Sequence, residues 1–161
     1  MPSRLQHAGK FLIGVISDTH GLMRPEAINL LQGSDLIVHA GDVGKPGVLE
    51  NLQSIAPVIA VRGNIDRDEW TAALPEREVV EIGAARLYVL HDLKELDCDP
   101  AVAGFGAIIS GHSHKPLIEN RDGVLFLNPG SAGPRRFRLP VTVARLSVWD
   151  GRLDAQIIEV V

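Results

Sequence analysis

The chain has 161 residues, of which 45% are hydrophobic and 22% charged, and its formal net charge is -4. This length and composition exclude fibrous and disordered proteins, and we expect residues 1–161 to form a single globular domain. The acidic balance excludes a protein that holds long nucleic acids on a basic surface. The only cysteine, Cys98, cannot form an internal disulfide, and no apolar run approaches the roughly 20 residues that span a bilayer. We therefore expect a cytoplasmic protein without membrane contact.

Short apolar runs rich in Val and Ile alternate with helical segments in the first half of the chain. The predicted strands are 11–17, 35–39 and 57–61, and the predicted helices are 25–32 and 45–55. Each apolar run stops at a polar residue or a glycine, as buried strands do where they reach a loop. The alternation of strand and helix predicts parallel crossover connections and therefore an α/β fold.

The second half of the chain has mostly strand-like patterns. Two hairpins are predicted, one through Gly83-Ala84-Ala85 and one through Asp150-Gly151, because these sequences favour tight reversals. The predicted strands in this half are 78–82, 86–91, 107–110, 124–127, 141–148 and 153–160. The arginine-rich segment 134–140 has no regular pattern and is predicted to be a surface loop.

Polar side chains follow five of the predicted strands at the points where these strands end. In chain order they are Asp18 and His20, Asp42, Asn64 and Asp66, His91, and His112 and His114. Taken singly, most of them fit ordinary caps, turns or packed histidines. The Gly-His-Ser-His sequence is different, because folding does not require two imidazoles one residue apart. Since the carboxyl ends of parallel strands meet at one sheet edge, we expect all of these groups to converge.

The composition of this set predicts a metal site. Four imidazoles, two carboxylates and one amide oxygen suit borderline divalent ions, with manganese first and nickel, iron, cobalt or zinc as alternatives. The predicted metal ligands are Asp18, His20, Asp42, Asn64, His91, His112 and His114. A single zinc ion takes about four ligands, so this larger set predicts two divalent ions that share a carboxylate. Two such ions activate a water between them and attract phosphate, which predicts hydrolysis of phosphate esters.

The order of the motifs resembles the calcineurin-like metallophosphoesterase superfamily, whose pattern reads D-x-H, G-D, G-N-x-[D/E], H and G-H-x-H. The match runs across nearly the whole chain. In its short length and its Asn128-Pro129-Gly130-Ser131 sequence, the chain resembles proteins of the small bacterial and archaeal phosphodiesterase branch. The resemblance implies a four-layer αββα sandwich of two mixed β-sheets flanked by helices. It also implies a phosphodiesterase in which a metal-bridging hydroxide attacks phosphorus.

The same resemblance assigns roles to individual residues. One ion is implied to bind Asp18, His20, Asp42 and His114. The other is implied to bind Asp42, Asn64, His91 and His112, with Asp42 shared by both. The residues implied to act in catalysis are Asp42, Asn64, Asp66 and His112.

Two positions depart from the pattern of the relatives. Ile65 stands where many of them have a histidine that protonates the leaving group or binds phosphate. Leaving groups of low pKa are therefore expected to be favoured. Asp92 stands where a glycine commonly follows the histidine, and its carboxylate either crowds an anionic substrate or orients a ligand imidazole. Both interpretations of Asp92 are open at this point.

The remaining polar residues are assigned minor roles. His39 is expected to pack within the second strand. Residues 128–131 either form no more than a tight turn or support the histidine loop. Arg135 and Arg136 either bind substrate phosphate or, as is commoner for loop arginines, stay solvated. His7 is expected on a loose N-terminal arm.

Two other functions fit the same sequence. One is a non-catalytic protein-binding scaffold of the same fold, as in the retromer subunit that resembles these enzymes but has lost histidine ligands. The other is a phosphomonoesterase or nucleotidase that keeps the chemistry and changes the substrate. In the enzymatic alternatives the partner is a small phosphate ester. A homodimer formed through apolar strands near the C-terminus is also left open.

Overall fold

The computed structural model describes residues 4–5 and 9–161, so the expectation for His7 lies outside the described residues. The strands are β1 (Arg4–Leu5), β2 (Phe11–Ile16), β3 (Leu36–His39), β4 (Val58–Ala60), β5 (Arg77–Ile82), β6 (Ala85–Leu90), β7 (Ala107–Ile109), β8 (Leu117–Arg121), β9 (Val124–Asn128), β10 (Thr142–Trp149) and β11 (Arg152–Glu159). The helices are α1 (Pro25–Leu30), α2 (Pro46–Gln53) and two 3-10 helices, Glu69–Ala73 and Leu93–Glu95. None of these helices has the length and apolar character that crossing a membrane requires.

The strands form two mixed sheets. The first sheet has the order β11-β10-β2-β3-β4, and the second has the order β1-β5-β6-β7-β9-β8. In the first sheet β2, β3 and β4 are parallel, and α1 and α2 connect them. In the second sheet β6, β7 and β9 are parallel. The alternation of strand and helix predicted for the first half of the chain is therefore confirmed.

The main hydrophobic core lies between the two sheets. Ile13 and Val15 of β2 point into it, and Leu87 of β6 meets them from the opposite sheet. Residues of a strand alternate between its two faces, so Ile16 points outward instead. There it packs with Leu52 of α2 in a second cluster, which holds both α-helices against the first sheet.

A thin layer covers the outer face of the second sheet. Tyr88 and Phe126 of this sheet pack there against Phe105, and the segment 93–105 runs across them. Within the described residues this segment contains a 3-10 helix and turns, with no α-helix. Pro100 in its middle lacks the N–H that a helix interior requires. The expected αββα sandwich of two mixed sheets is confirmed, with a fourth layer made of a short helix and turns.

Candidate metal centre

The predicted ligands lie together at one end of the sandwich. Four of them follow the ends of β2, β3 and β4 in the first sheet, namely Asp18, His20, Asp42 and Asn64. Three follow the ends of β6 and β7 in the second sheet, namely His91, His112 and His114. The site is therefore built by loops from both sheets, which face each other across the end of the main core.

Asp18 belongs to two groups of side chains that are spaced for metal binding. Its Oδ1 lies 3.4 Å from His114 Nε2, 3.9 Å from His20 Nε2 and 3.8 Å from His91 Nε2. The ligand atoms of Asp18, His20 and His114 lie within 4.8 Å of one another, as do those of Asp18, Asp42 and His91. Each group is compact enough for one ion to contact all of its members.

Asp42 belongs to the second group and also approaches the first. Its Oδ2 is 3.5 Å from His20 Nε2 and 3.3 Å from His91 Nε2. This carboxylate oxygen, like Oδ1 of Asp18, therefore faces one histidine of each group. Both aspartates lie where a ligand shared by two ions would be placed.

Asn64 and His112 extend the second group. Asn64 Oδ1 lies 3.0 Å from His91 Nε2 and 3.1 Å from His112 Nδ1. The rings of His91 and His112 meet edge to face, with centroids 5.2 Å apart. All of the predicted ligand residues are therefore in one cluster, arranged as two overlapping halves.

Hydrogen bonds from the Ser17 hydroxyl and from backbone N–H groups determine which oxygen of each aspartate faces the cluster. Asp18 Oδ2 accepts hydrogen bonds from the Ser17 hydroxyl at 2.8 Å and the His112 backbone N–H at 3.0 Å, which leaves Oδ1 for the cluster. Asp42 Oδ1 accepts from the Ile65 backbone N–H at 3.0 Å, which leaves Oδ2. Each aspartate is thus held in the orientation of a ligand.

Two histidines beside Asp42 are fixed in a similar way. His91 Nδ1 donates to the Ala40 carbonyl at 2.7 Å, so the lone pair of Nε2 faces the cluster. His39 is fully buried; its Nδ1 accepts from the Gly41 N–H and its Nε2 donates to the Thr19 hydroxyl. Burial lowers the pKa of His39 to about 3, and the nearby His91 adds to this effect. The prediction of His39 as a packed residue is confirmed, and it holds the turn that carries Asp42.

Three buried atoms of the cluster have no hydrogen-bond partner among residues 9–161. They are Asp18 Oδ1, His20 Nε2 and His114 Nδ1. An unpaired buried polar atom costs roughly 1–3 kcal/mol, so native structures usually supply a partner. A cation that contacts both Asp18 Oδ1 and His20 Nε2 would provide each of these atoms with a partner. The nitrogen and oxygen donors present, without sulfur, fit borderline divalent metals.

The surroundings shift the pKa values of Asp18 and Asp42 in opposite directions. Burial raises the pKa of Asp18, and the opposing effects of His91 and the Ser17 hydroxyl do not offset it. Burial also acts to raise the pKa of Asp42, but the hydrogen bond and charge of His91 outweigh it and the pKa is lowered. The surroundings thus stabilise the charge of Asp42 more than that of Asp18, and a divalent ion beside Asp18 would supply positive charge there.

Backbone strain is concentrated at the same cluster. Within the described residues eight non-glycine residues have positive φ, and five of them are predicted ligands: Asp18, His20, Asp42, His112 and His114. Their φ angles lie between 48° and 70°, in the left-handed region that costs L-residues about 1 kcal/mol or more. Such strain persists only where the surrounding structure enforces it. Its concentration here indicates a functional site.

The surroundings of Asp66 favour a positioning role over the predicted catalytic one. This residue is buried, and its Oδ2 accepts from the backbone N–H groups of Val43 and Gly63 at 3.0 and 2.9 Å. Its Oδ1 accepts from the Gly44 N–H at 3.0 Å. Because both oxygens are occupied by the backbone, Asp66 is a positioning residue that joins the loops carrying Asp42 and Asn64.

Asn128 has the supporting role, which was one of the two interpretations of its segment. Its Nδ2 donates to the Gly111 carbonyl at 2.9 Å and to the Ser113 hydroxyl at 3.1 Å. Its Oδ1 accepts from the Gly130 N–H at 2.9 Å. The side chain thereby holds the loop that carries His112.

The two loop arginines differ in their surroundings. Arg135 donates to the carbonyls of Leu139 and Val161, at 3.1 and 3.5 Å, so its guanidinium is directed to the chain's own backbone. Burial lowers the pKa of His114, and the positive charge of Arg136 adds to this effect. Of the two, Arg136 is the residue whose charge reaches the cluster.

Residues 11–151 match the family model of the calcineurin-like phosphoesterase superfamily domain. The chain belongs to this superfamily. The match spans every ligand residue described above, from the loop after β2 to the histidine loop after β7. The family named from the sequence motifs is therefore confirmed.

The chain is similar to proteins from archaea and bacteria. A probable metallophosphoesterase of Methanocaldococcus jannaschii is 37% identical over 94% of this chain and 83% of its own length. A phosphodiesterase of Escherichia coli (strain K12) is 28% identical over 71% of this chain and 76% of its own length. The crystal structure of a predicted phosphoesterase from Streptococcus pneumoniae superimposes with a TM-score of 0.75 and 25% identity, covering 96% of this chain and 92% of that one.

Three positions of this member of the calcineurin-like superfamily were not assigned a role from the sequence. Ser17 holds Asp18, and its only sequence signal is its place directly before that residue. A Cβ atom at Gly63 would overlap with Asp42. A Cβ atom at Gly111 would overlap with Ser17 and Asp18. The repeated glycine before a ligand was the available signal, but it is equally typical of ordinary turns.

The position of Asp92 favours one of its two interpretations. Its Oδ2 lies 3.7 Å from His112 Nε2, while His112 Nδ1 faces Asn64 Oδ1. Its Oδ1 accepts from the Lys94 N–H at 3.1 Å, which fixes the carboxylate. Asp92 is therefore placed to orient the His112 ring through the nitrogen that faces away from the cluster.

We expect Asp92→Ala to weaken binding of the second metal equivalent by roughly 10- to 100-fold, the range typical of partners that orient ligand histidines. Competition titration of Mn²⁺ against a chelator measures this change. The matched control is Asp97→Ala, whose carboxylate contacts Arg77 and Tyr88 away from the cluster. If Asp92→Ala binds both equivalents like the native protein, the orienting role is wrong.

Proposed function

We propose that this protein is a phosphodiesterase that depends on two divalent metal ions, with manganese the first candidate. The observation that carries the proposal is the arrangement of the candidate ligands as two groups that share Asp18, with Asp42 Oδ2 close to one histidine of each group. One group is proposed to hold an ion through Asp18, His20, Asp42 and His114. The other is proposed to hold an ion through Asp42, Asn64, His91 and His112.

When bound, the ions supply an activated water and neutralise the charge of the phosphate. The chain's own residues prepare the site for this chemistry. Hydrogen bonds outside the cluster aim Asp18 Oδ1 and Asp42 Oδ2 inward before any ion arrives. A preorganised site of this kind needs little rearrangement when substrate binds.

The residue at the position after Asn64 bears on the leaving group. Ile65 is 42% exposed and has no proton to donate from its side chain, while its backbone N–H is occupied by Asp42. A leaving group therefore departs without protonation from this position. Esters of acidic alcohols such as nitrophenols are the expected good substrates, because their anions leave without a general acid.

The non-catalytic scaffold remains the main alternative, because a shared fold does not establish an activity. The phosphomonoesterase or nucleotidase alternative concerns only the substrate. The named phosphodiesterase of Escherichia coli among the relatives supports the diester. The presence of every ligand histidine in the cluster supports catalysis over a scaffold role.

The proposal is tested with metal-stripped protein that is reloaded with Mn²⁺ or, separately, Ni²⁺. We expect two metal equivalents to bind and bis(p-nitrophenyl) phosphate to be hydrolysed faster than p-nitrophenyl phosphate. A chelator is expected to abolish the activity, and added metal to restore it. Protein that binds both equivalents yet hydrolyses no phosphate ester would instead support the scaffold.

A further inference from the structure

An apolar cleft lies directly beside the metal cluster. Its volume is about 690 Å³, and it shares His112 and Asp92 with the candidate site. Leu93, Pro116 and Leu117 form its apolar lining. This volume lies within the range of roughly 300–1,000 Å³ that is usual for small-molecule sites. The cleft is therefore continuous with the place where phosphate is proposed to bind, and it has room for an organic group.

The polar groups in the wall of the cleft are largely paired with one another. Asn128 donates to the Gly111 carbonyl and the Ser113 hydroxyl, and the Ser113 hydroxyl also accepts from the Lys115 N–H at 3.1 Å. These groups have little hydrogen-bonding capacity left for a ligand. A molecule in the cleft thus meets mainly the apolar side chains.

Two lysines add positive charge to the cleft. Lys94 and Lys115 line it, and in the part of the chain that the structure describes neither side chain forms an ion pair. Their charges exceed that of Asp92, so the net charge of the lining is positive when the histidine is neutral. Such a field favours a substituent that is attached to an anionic phosphate.

The other cavities beside the cluster suit an organic substituent less well. One of them has a volume of about 140 Å³ and is lined by Glu76 and Glu95. The other, of about 450 Å³, is lined by Asp68, Glu69 and Glu76. Arg62 lines both cavities and Arg67 lines the larger one, but carboxylates outnumber the arginines in each and disfavour an anionic ester. The smaller cavity also has little room for a ring.

We propose that this cleft binds an organic substituent of the phosphoester, and that the preferred substituent is apolar and aromatic. This inference rests on the proposed function, since it places the phosphate at the metal cluster. The substituent then extends past His112 and packs against Leu93, Pro116 and Leu117. Substrates are expected to be esters of apolar alcohols, with short alkyl esters bound more weakly.

The edge strand β8 offers a matched pair of variants for the test. Leu117 lines the cleft, whereas Ile118 is the next residue on the same strand and points to its other face. Their exposed fractions are similar, at 37% and 44%. Leu117→Asp places a carboxylate in the cleft, and Ile118→Asp places the same group outside it.

Calorimetry with phenylphosphonate and methylphosphonate, titrated into the Mn²⁺-loaded protein, compares the two substituents without any bond cleavage. We expect phenylphosphonate to bind about tenfold more tightly than methylphosphonate, both to the native protein and to Ile118→Asp. The reason is that the phenyl ring is transferred out of water when it enters the cleft. In Leu117→Asp the two affinities are expected to be nearly equal, with methylphosphonate little changed. Leu117→Ala introduces no charge. It is expected to show a smaller preference for phenylphosphonate than the native protein does.

Equal affinities for the two phosphonates in the native protein would overturn the inference. An unchanged preference in both Leu117 variants would overturn it as well. The outcome is separable from that of the proposed function. Protein that hydrolyses diesters without phenyl selectivity refutes only the cleft. Protein that binds phenylphosphonate selectively but hydrolyses no ester refutes only the activity.

Discussion

Asp42→Asn is expected to lower the rate of bis(p-nitrophenyl) phosphate hydrolysis by about a thousandfold or more. The Ile65 N–H holds an oxygen at the Oδ1 position of residue 42, so the new amide NH₂ takes the Oδ2 position. That position faces His20 and His91. A donor group and a lost negative charge at the bridging point disfavour both ions. Steady-state kinetics and metal analysis of the purified variant measure the two effects together.

The matched control is Asp154→Asn, which makes the same chemical change on exposed β11 of the same sheet. It is expected to leave both activity and metal content unchanged. Both variants are expected to fold, because the substitutions keep the size of the side chain. Retention of native activity by Asp42→Asn would show that this residue does not bridge the two halves of the cluster.

Gly63→Ala is expected to remove most of the activity although residue 63 is not a ligand. A Cβ atom at this position overlaps with the Asp42 carboxylate and its backbone nitrogen. The loop has to shift, and the shift moves Asn64 as well as Asp42. Overpacking of this kind typically costs about 1–3 kcal/mol of stability. Thermal unfolding and the metal-binding titration together measure the displacement.

Gly47→Ala provides the control for the same change. Gly47 lies in α2, and a Cβ atom there meets nothing within 4 Å. Alanine is more favourable than glycine in a helix by roughly 0.5–1 kcal/mol, so this variant is expected to be slightly more stable and fully active. If Gly63→Ala behaves like Gly47→Ala, the close approach at Asp42 has no functional consequence.

Much of the fold was predictable because its strands are buried and apolar. The strand predicted at residues 11–17 is observed as Phe11–Ile16, and the helix predicted at 45–55 is observed as Pro46–Gln53. The Asp150-Gly151 reversal joins β10 and β11 as predicted. In these segments local pattern and tertiary burial favour the same structure.

The strand β8 was missed because its sequence has the pattern of an exposed edge. Leu117–Arg121 has only two apolar residues, both at its start, and most of its side chains are exposed. Its pairing with β9 supplies the missing stabilisation, and Asp122-Gly123 forms the reversal with positive φ at both residues. That dipeptide was the available signal for a hairpin. The strand matters for function, because it carries Leu117 of the proposed substrate cleft.

The sequence predicted which residues come together in the site better than it predicted the role of each one. Strand-end position was sufficient to predict which candidate ligand residues come together, because parallel strands bring their carboxyl ends together. The catalytic role of Asp66 stays a prediction, but its motif position does not reveal that backbone N–H groups occupy its carboxylate, which favours a positioning role. Asp92 was undecided for the same reason. Only the three-dimensional distance to His112 Nε2 distinguishes its two interpretations.

Each half of the cluster is proposed to hold one ion, with Asp42 between the two ions. Anomalous diffraction from crystals of the Mn²⁺-loaded protein tests this directly. We expect two peaks, one beside Asp18, His20 and His114 and one beside Asn64, His91 and His112. A single peak, no peak, or peaks away from Asp42 would contradict the account.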